Sequence, residues 1–411
     1  MIPATLARSR HRAFSASPGR SSPSAHSPWR GAAMAGAAAA VGAAAWCGHP
    51  LALPLACAFP TLWALAPSRL ISAAVSAAYF LAASRGLPLG VVNFYDTDFG
   101  VGIALWIGAA AIFTLVHAGL WQRRPGWERA LWFGLGAILM SLPPFGVVGW
   151  AQPITAAGIL FPGWGWWGLG ATAAILLTMT TGKWPIAAIV AASFWAWSAA
   201  HWTRPSQPDG WAGLDTRLGS ALGRAPDLDQ SKALLQRVRE AGAAGARVVV
   251  LPESAAGPWT PTTSGFWTDG LRGTDVAVIA GAAIVDREGY ENAMVEIAAG
   301  RARQLYGERM PVPVSMWQPW LAWTGQGGGA RATFFGSPIV ESAGRRVAPL
   351  ICYEQLLVWP VLQSMLHSPD LLVAIGNDWW TAGTNVLAIQ RASTQAWARL
   401  FALPLVLSFN T

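Results

Sequence analysis

The sequence predicts two parts, a multi-span α-helical membrane domain followed by one soluble α/β domain. The first observation is charge, because Asp96, Asp98 and Glu128 are the only acidic residues between positions 34 and 200. The second is composition, with 53% hydrophobic and 12% charged residues, against about 25% charged in ordinary soluble domains. The third is a change of pattern after position 203, where short Val/Ile runs alternate with helical segments. Such alternation is typical of an α/β sheet covered by helices.

The N-terminal segment 1–33 is rich in Ser, Pro and Arg, and we expect it to be disordered. It contains five arginines and no acidic residue, whereas the remaining basic residues of the chain are scattered. A nucleic-acid-binding protein would cluster its basic residues on one face of a folded module. We therefore expect no nucleic-acid partner, and we interpret the net charge of +8 as fixing a membrane orientation. Met34 is an alternative start of the chain.

Region 34–201 contains about seven apolar segments that approach the roughly 20 residues needed to cross a bilayer. They lie at 33–48, 50–66, 70–86, 100–121, 129–149, 164–181 and 184–201. The first two are short and Ala-rich, so a re-entrant pair is an alternative to two full spans.

The connections between these segments predict an orientation. With the N-terminus in the cytoplasm, most basic side chains of the connections fall on the inner side, namely Arg69, Arg123, Arg124, Arg129 and Lys183. Asp96 and Asp98 fall on the outer side, and Arg85 at an outer edge is the exception. Positive charge favours the cytoplasmic side. Seven spans then place the following domain on the periplasmic side, and the loss of one span would reverse that.

Residues 202–215 read as a polar Pro/Gly linker, and 216–411 as the α/β domain. Its predicted strands lie at 247–251, 276–285, 292–298, 345–351, 371–375 and 403–408. Its predicted helices lie at 228–243, 354–366 and 384–400.

Two residues of this domain are candidates for chemistry. Glu253 follows an apolar strand, where the loops of a parallel sheet converge and a carboxylate can act as an acid or base. A helix cap or a surface acid is the alternative. Cys352 ends a strand just before a helix, and a helix N-terminus favours the thiolate. A buried structural cysteine is the alternative. The three cysteines have no metal-ligand spacing, so we expect neither a metal nor a cofactor.

These residues, together with Tyr306 and the following Gly-Glu-Arg-Met-Pro-Val-Pro run, resemble the nitrilase (carbon–nitrogen hydrolase) superfamily. Pro-Glu at 252–253, Ile-Cys-Tyr-Glu at 351–354 and Asn-Asp-Trp at 377–379 match its motifs. Membrane spans ahead of such a domain look like the apolipoprotein N-acyltransferase branch of the bacterial inner membrane. The run at 309–313 and the early C-terminus look more like the conjugal transfer (TraB) group.

The resemblance implies a nitrilase-like α-β-β-α sandwich, shortened at its C-terminus, and a Glu–Lys–Cys triad. Glu253 would be the base and Cys352 the nucleophile of an acyltransferase or amidase that forms a thioester. Glu308 stands where the family has its lysine, and Arg309 is a possible substitute for the missing charge. Glu354 would orient the surroundings of Glu253 and Cys352 or cap its own helix, and both readings stay open.

The resemblance also suggests partners: a phospholipid acyl donor, an amine or lipoprotein-type acceptor, and conjugation or pilus assembly proteins. Trp317, Trp320, Asn377 and Trp379 are candidate contacts to a substrate or lipid, and packing onto the helices is the alternative for the Trp-rich loop. A catalytically impaired scaffold is the second hypothesis, because the lysine is absent. A transporter is the third, but His117 is almost the only ionisable candidate within the spans.

Overall fold

A computed structural model describes residues 28–223 and 227–411 of the chain. Most of the segment predicted to be disordered, 1–33, lies outside the described residues. Its last part is helical, because helix α1 already begins at Pro28. The boundary at Met34 therefore falls inside a helix and not at the end of a tail.

The first part of the chain is a bundle of helices and 3₁₀ turns. The helices are α1 (Pro28–Ala45), α2 (Phe59–Leu65), α3 (Arg69–Ala83), α4 (Leu87–Tyr95), α5 (Phe99–Gly119), α6 (Trp127–Leu139), α7 (Ala157–Leu160), α8 (Gly165–Met179) and α9 (Trp184–Ala200). The 3₁₀ turns are Pro50–Ala58, Phe145–Val148 and Pro153–Ala156. Each of the seven predicted apolar segments contains a helix, but α4 occupies a stretch that the sequence analysis assigned to a connection.

By helix length and composition, fewer than seven of the described helices qualify as complete membrane spans. Of the described helices, α5 alone is long and apolar enough to cross a bilayer by length and composition. Helices α3 and α4 meet at a bend of 51° and would together make a second, broken span. The other apolar helices that approach this size, such as α8 and α9, are shorter. The seven-span arrangement stays a prediction.

The second part of the chain alternates strands and helices. The strands are β1 (Trp211–Gly213), β2 (Val248–Val250), β3 (Ala277–Val285), β4 (Tyr290–Ala298), β5 (Arg301–Gly307), β6 (Val340–Ser342), β7 (Arg345–Ile351), β8 (Leu371–Asn377) and β9 (Leu405–Asn410). The helices are α10 (Leu228–Ala243), α11 (Pro261–Gly270), α12 (Trp320–Trp323), α13 (Val358–Met365) and α14 (Val386–Leu400). Strand β1 lies within the predicted linker 202–215, which therefore belongs to the sheet and does not simply connect two domains.

The strands form two sheets. The first has the order β1-β2-β3-β4-β5, with β1, β2 and β3 parallel and the last two strands antiparallel. The second has the order β6-β7-β8-β9, in which β7, β8 and β9 are parallel. Parallel strands of this kind are buried on both faces, which explains their continuous Val and Ile runs.

The two sheets pack face to face and are covered by helices on their outer faces. The inner core joins residues from both sheets, among them Val250, Ile279, Ile351 and Val373. Helices α10 and α11 cover the first sheet, and α13 and α14, with part of α7, cover the second. This is the α-β-β-α sandwich that the resemblance implies.

The helical part and the sandwich share contacts near the carboxyl ends of the parallel strands. Tyr353 Oη donates a hydrogen bond to the Val147 carbonyl at 2.7 Å. Asn93 Nδ2 donates to the Trp380 carbonyl at 2.9 Å. The largest apolar cluster continues from the helices into Tyr353. The edge of the sandwich where catalytic loops would lie is therefore packed against the helical bundle.

Candidate active site

Glu253 lies in the loop that follows β2. The loop turns sharply, with Ser254 at a φ of 62°, and β3 passes directly beside it. A Cβ atom on Gly281 of β3 would lie 2.4 Å from the Cα of Glu253, so only glycine permits this approach. The backbone of Glu253 is held in place by the close approach of the neighbouring strand.

The Glu253 carboxylate is 6% exposed and accepts two hydrogen bonds. Asn292 Nδ2 donates to Oε1 at 2.7 Å, and the backbone N–H of Asn377 donates to Oε2 at 2.9 Å. Burial raises the pKa of Glu253 above its ordinary value, and the two donors oppose this shift. Asn377 therefore contacts the site through its main chain, while its side chain accepts from Asn410.

Cys352 follows β7 and begins a short 3₁₀ turn, Cys352–Leu356. Its φ of 45° is unusual for a residue other than glycine, and such strain is found at functional turns. The side chain is 5% exposed and lies beside the Glu253 carboxyl group, close enough for the two groups to interact electrostatically. Gln390 Nε2 approaches the Sγ atom at 3.9 Å. The structure thus brings together the two residues that the sequence analysis selected, about a hundred positions apart.

The electrostatic surroundings of the thiol differ from the prediction. We expected a helix N-terminus to favour the thiolate, but the turn after Cys352 is a single short 3₁₀ segment. Burial raises the pKa of Cys352 well above its usual range, and the carboxyl groups of Glu253, Asp378 and Glu308 raise it further. The thiol is therefore protonated in the resting site, and its proton must pass to a base before attack.

Glu354 is fully buried and holds the turn after β7 together. Its Oε2 accepts from the backbone N–H of Ile351 at 2.9 Å, and its Oε1 accepts from Tyr306 Oη at 2.7 Å. It also accepts from the backbone N–H of Arg309 at 3.0 Å. Glu354 therefore caps its own turn and ties that turn to the end of β5. Burial raises the pKa of Glu354, and Arg309 opposes the shift.

Arg309 does not face the thiol. Its guanidinium lies 3.5 Å from Glu354 and donates to Tyr306 Oη. It also donates to Gln363 Oε1 and the Pro360 carbonyl of α13, at 2.7 and 3.0 Å. The guanidinium thus belongs to a polar network with Tyr306, Glu354 and α13, and none of its hydrogen bonds among the described residues goes to Cys352. This placement does not support Arg309 as the substitute for the missing lysine.

Glu308, which the sequence analysis aligns with the family's lysine, is 1% exposed. Its Oε2 accepts from Asn292 Nδ2 at 2.8 Å, and its Oε1 has no hydrogen-bond partner. Burial raises the pKa of Glu308 well above its usual range, and Glu253 and Glu354 add to the shift. Asn292 therefore donates to two carboxyl groups at once, a role that the sequence analysis missed.

Asp378 and Gln390 are two further residues that the sequence analysis did not select. The Asp378 carboxyl is buried and neither oxygen has a hydrogen-bond partner, and the same holds for Gln390 Oε1. Burial raises the pKa of Asp378 well above its usual range. Asp378 belongs to the quoted motif at 377–379, so a signal existed, whereas Gln390 lies in a helix with no distinguishing pattern.

A cavity of about 560 Å³ opens onto the Glu253–Cys352 pair. Its walls come from both parts of the chain, with the helical bundle supplying mostly apolar side chains and glycines. The lining from α4 and α5 is Leu87, Gly90, Val91, Phe94, Tyr95, Ala104, Leu105, Gly108, Ala109 and Ile112. The sandwich contributes Asn292, Trp379 and Gln390. Trp379 stacks on Phe94 with ring centroids 5.9 Å apart. The thiol therefore lies at the polar end of a mainly apolar chamber.

The Trp-rich loop is only partly at this cavity. Residues 312–316 line it, but Trp317 and Trp320 are not among the lining residues. Trp317 packs edge-on against Phe334 at 5.2 Å, and Trp320 is exposed in α12. Within the described ranges, no group of three or more His, Cys, Asp or Glu residues is arranged to hold a metal ion.

Comparison with known proteins gives one family. The model of the family Carbon-nitrogen hydrolase matches residues 81–399. The chain is 57% identical to the conjugal transfer protein TraB of Agrobacterium fabrum, over all of both chains. It is 55% identical to the probable conjugal transfer protein TraB of Sinorhizobium fredii, over 90% of this chain and 96% of that one. A solved amidase of the nitrilase superfamily from Nesterenkonia AN1 is 12% identical, with a TM-score of 0.30 over 41% of this chain and 63% of that one.

Proposed function

The chain belongs to the carbon–nitrogen hydrolase family, within the group that includes the conjugal transfer protein TraB, and from this premise we propose that it transfers an acyl group through a thioester on Cys352. One observation carries the proposal. Glu253 and Cys352 lie beside each other at the end of an apolar cavity of about 560 Å³. A nucleophile beside a base is the arrangement that covalent catalysis requires.

The reaction follows from this pair. Glu253 takes the thiol proton, and the sulfur attacks the acyl carbonyl to form a tetrahedral oxyanion. Collapse of that intermediate breaks the bond to the leaving group, which receives the proton from Glu253, and a thioester remains. An amine or water then attacks the thioester and gives its proton to Glu253, and as the acyl–sulfur bond breaks Glu253 returns that proton to the Cys352 sulfur. The raised pKa of Glu253 suits it to carry a proton between these steps.

The shape of the cavity favours a lipid acyl donor over a small amide. Its walls from α4 and α5 are aliphatic and aromatic, and buried methylene groups contribute about 0.8 kcal/mol each. Many apolar side chains on the outer face of the bundle are exposed to the surroundings, among them Ile107, Leu115, Leu131, Ile138 and Ile189. Such a surface suits lipid contact, and we propose an inner-membrane location with the sandwich on the periplasmic side.

The acceptor and partners follow from the same chemistry. A thioester is resolved by an amine, so a lipoprotein-type N-terminus or another amine is the proposed acceptor. The relatives are named as conjugal transfer proteins, and we propose that conjugation or pilus assembly proteins are partners of this chain.

One observation favours a second function, that of a catalytically impaired scaffold. Glu308 stands in place of the family's lysine, and no cation of the described residues replaces it at the thiol. An oxyanion donor of this kind is typically worth about 2.7–4 kcal/mol, or roughly a hundredfold to a thousandfold in rate. A scaffold would bind its partners without forming the thioester.

The test is acyl-thioester formation on the purified full chain in phospholipid vesicles with a radiolabelled acyl chain. We expect label on the protein that hydroxylamine removes, and no label on a Cys352→Ala variant. Cys57→Ala is the matched control, because that cysteine is also buried but lies within the helical bundle. Equal labelling of the parent and Cys352→Ala would contradict the proposal. Folded, unlabelled parent protein that still supports conjugation would favour the scaffold.

A further inference from the structure

We infer that Asn292 and Glu308 together take over one role of the family's lysine, the support of the base: Glu308, as a neutral carboxylic acid, holds the Asn292 amide so that it donates to Glu253. The catalytic role of these residues rests on the proposed function, whereas their hydrogen bonds do not depend on it. Asn292 lines the cavity beside Glu253 and Cys352. Glu308 does not line it, so Glu308 is a positioning residue that acts through Asn292.

The main chain brings the two side chains together. Asn292 lies in β4, and Glu308 directly follows β5, its antiparallel neighbour. The backbone N–H of Glu308 donates to the Asn292 carbonyl at 2.7 Å. The β4–β5 pairing therefore fixes Glu308 next to Asn292 before any side-chain contact is made.

The hydrogen bonds define which way the amide points. Asn292 Nδ2 donates at 2.7 Å to Glu253 Oε1 and at 2.8 Å to Glu308 Oε2. An amide nitrogen carries two hydrogens, so both are used. The flipped amide would place its oxygen against the ionised Glu253 carboxylate, so the orientation with Nδ2 toward Glu253 is favoured. Glu308 Oε2 accepts the second amide hydrogen and holds the amide nitrogen beside the base.

Charge decides which carboxyl holds the proton. Two buried carboxylates that share one donor cannot both be ionised without strong repulsion. Glu253 has a second donor in the Asn377 backbone N–H. Glu308 has no second donor, and its buried Oε1 has no partner. The proton therefore resides on Glu308, consistent with its strongly raised pKa, and the negative charge remains on Glu253, where the reaction needs a base.

This arrangement explains how the site maintains Glu253 as a base although the ammonium group of the family's lysine is absent. A lysine would stabilise the Glu253 anion with a positive charge, whereas the Asn292 amide stabilises it with a charge-assisted hydrogen bond and brings no charge of its own. The base is consequently less stabilised as an anion, and Glu253 binds its proton more readily.

The test uses two measurements that do not depend on acyl transfer, made on the full chain in a Cys47→Ser background that removes the exposed thiol. The first is the infrared absorption of protonated carboxyl groups at pH 7 in heavy water. The second is the pH profile of Cys352 alkylation by iodoacetamide. Glu308→Gln keeps the shape and neutrality of the side chain. We expect this variant to lose one protonated-carboxyl band and to keep the parent's alkylation profile.

Asn292→Asp tests the donor. It removes the amide hydrogens and adds a carboxyl group, so we expect alkylation to begin at higher pH. An ionised Glu308 would give the opposite pattern. Glu308→Gln would then lose no band and would speed alkylation at a fixed pH by roughly tenfold, because a negative charge near the thiol would be gone. That result would overturn the inference. If the parent protein shows the protonated-carboxyl band of Glu308 but no acyl transfer, the proposed function is refuted, whereas the inferred Glu308–Asn292–Glu253 hydrogen bonds are not.

Discussion

Gly108 offers a direct test of what the cavity holds. It lies on α5 and lines the cavity, and a Cβ atom added to it meets no other atom within 4 Å. The first atom of a larger side chain therefore meets no steric conflict here, and a leucine reduces the free volume of the chamber that Gly108 lines. We predict that Gly108→Leu shortens the acyl chain that the site accepts and leaves the fold and the Glu253–Cys352 pair unchanged.

The size of the effect follows from the volume of the new side chain. Leucine adds four carbon atoms and displaces about as many methylene groups of a bound chain. At about 0.8 kcal/mol for each buried methylene, a long chain loses about 3 kcal/mol of binding free energy, or roughly a hundredfold in affinity. A chain too short to reach α5 loses nothing.

The assay is the rate at which alkyl methanethiosulfonates of increasing chain length form a disulfide with Cys352. The Cys47→Ser background again removes the exposed thiol. In the parent we expect the rate to rise with chain length, and in Gly108→Leu to stop rising. Gly100→Leu is the matched control, since Gly100 also lies on α5 with no atom near its added Cβ but outside the cavity lining. The same chain-length dependence in Gly108→Leu and the parent would refute the placement of acyl chains in this cavity.

Three further predictions concern stability and positioning. Burial raises the folded-state pKa values of Glu253 and Glu308 above the ordinary 4.5. The stability that these protonated groups contribute is therefore complete below pH 4.5 and is lost as pH rises through the folded-state values. Chemical denaturation should accordingly show a free energy of unfolding that falls less steeply with pH in Glu308→Gln than in the parent. Glu354→Gln leaves the buried Arg309 guanidinium without its anion and should cost about 3–5 kcal/mol in the same measurement; a loss below about 1 kcal/mol would contradict the ion pair's role. Gly281→Ala should lower the free energy of unfolding by about 1–3 kcal/mol through overpacking, and it should slow the alkylation of Cys352. Unchanged alkylation would show that the close approach of β3 does not set the position of Glu253.

The sequence was sufficient to identify the central pair because strand ends are predictable. Glu253 and Cys352 each follow a short, fully apolar run, and the carboxyl ends of parallel strands meet at one edge of a sheet. The same argument located the motif that begins at Asn377. The fold class followed from the alternation of strands and helices, although three-residue strands such as β1 carry too few residues to show a period.

The environment of the pair could not be predicted from the sequence. Asn292 lies within a strand, where a polar residue gives no sign of its partners, and Arg309 is adjacent to Glu308 in sequence but points to α13 in space. The expected shift of the Cys352 pKa was in the wrong direction for the same reason. It assumed a helix dipole from local sequence, whereas the shift depends on burial and on carboxyl groups from three separate segments.

The shared wall of the cavity has a consequence for dissecting the protein. Separating the helices from the sandwich by a cut in the segment 202–215 would open the chamber along α4 and α5, and a cut after Gly213 would also remove β1 from its sheet, so neither fragment would retain the complete cavity. In chimaeras between homologues, the donor of the helices should dictate which chains are accepted, while the donor of the sandwich dictates the chemistry. Exchanging the helical bundle should therefore change which acyl chains the site accepts while Glu253 and Cys352 remain unaltered.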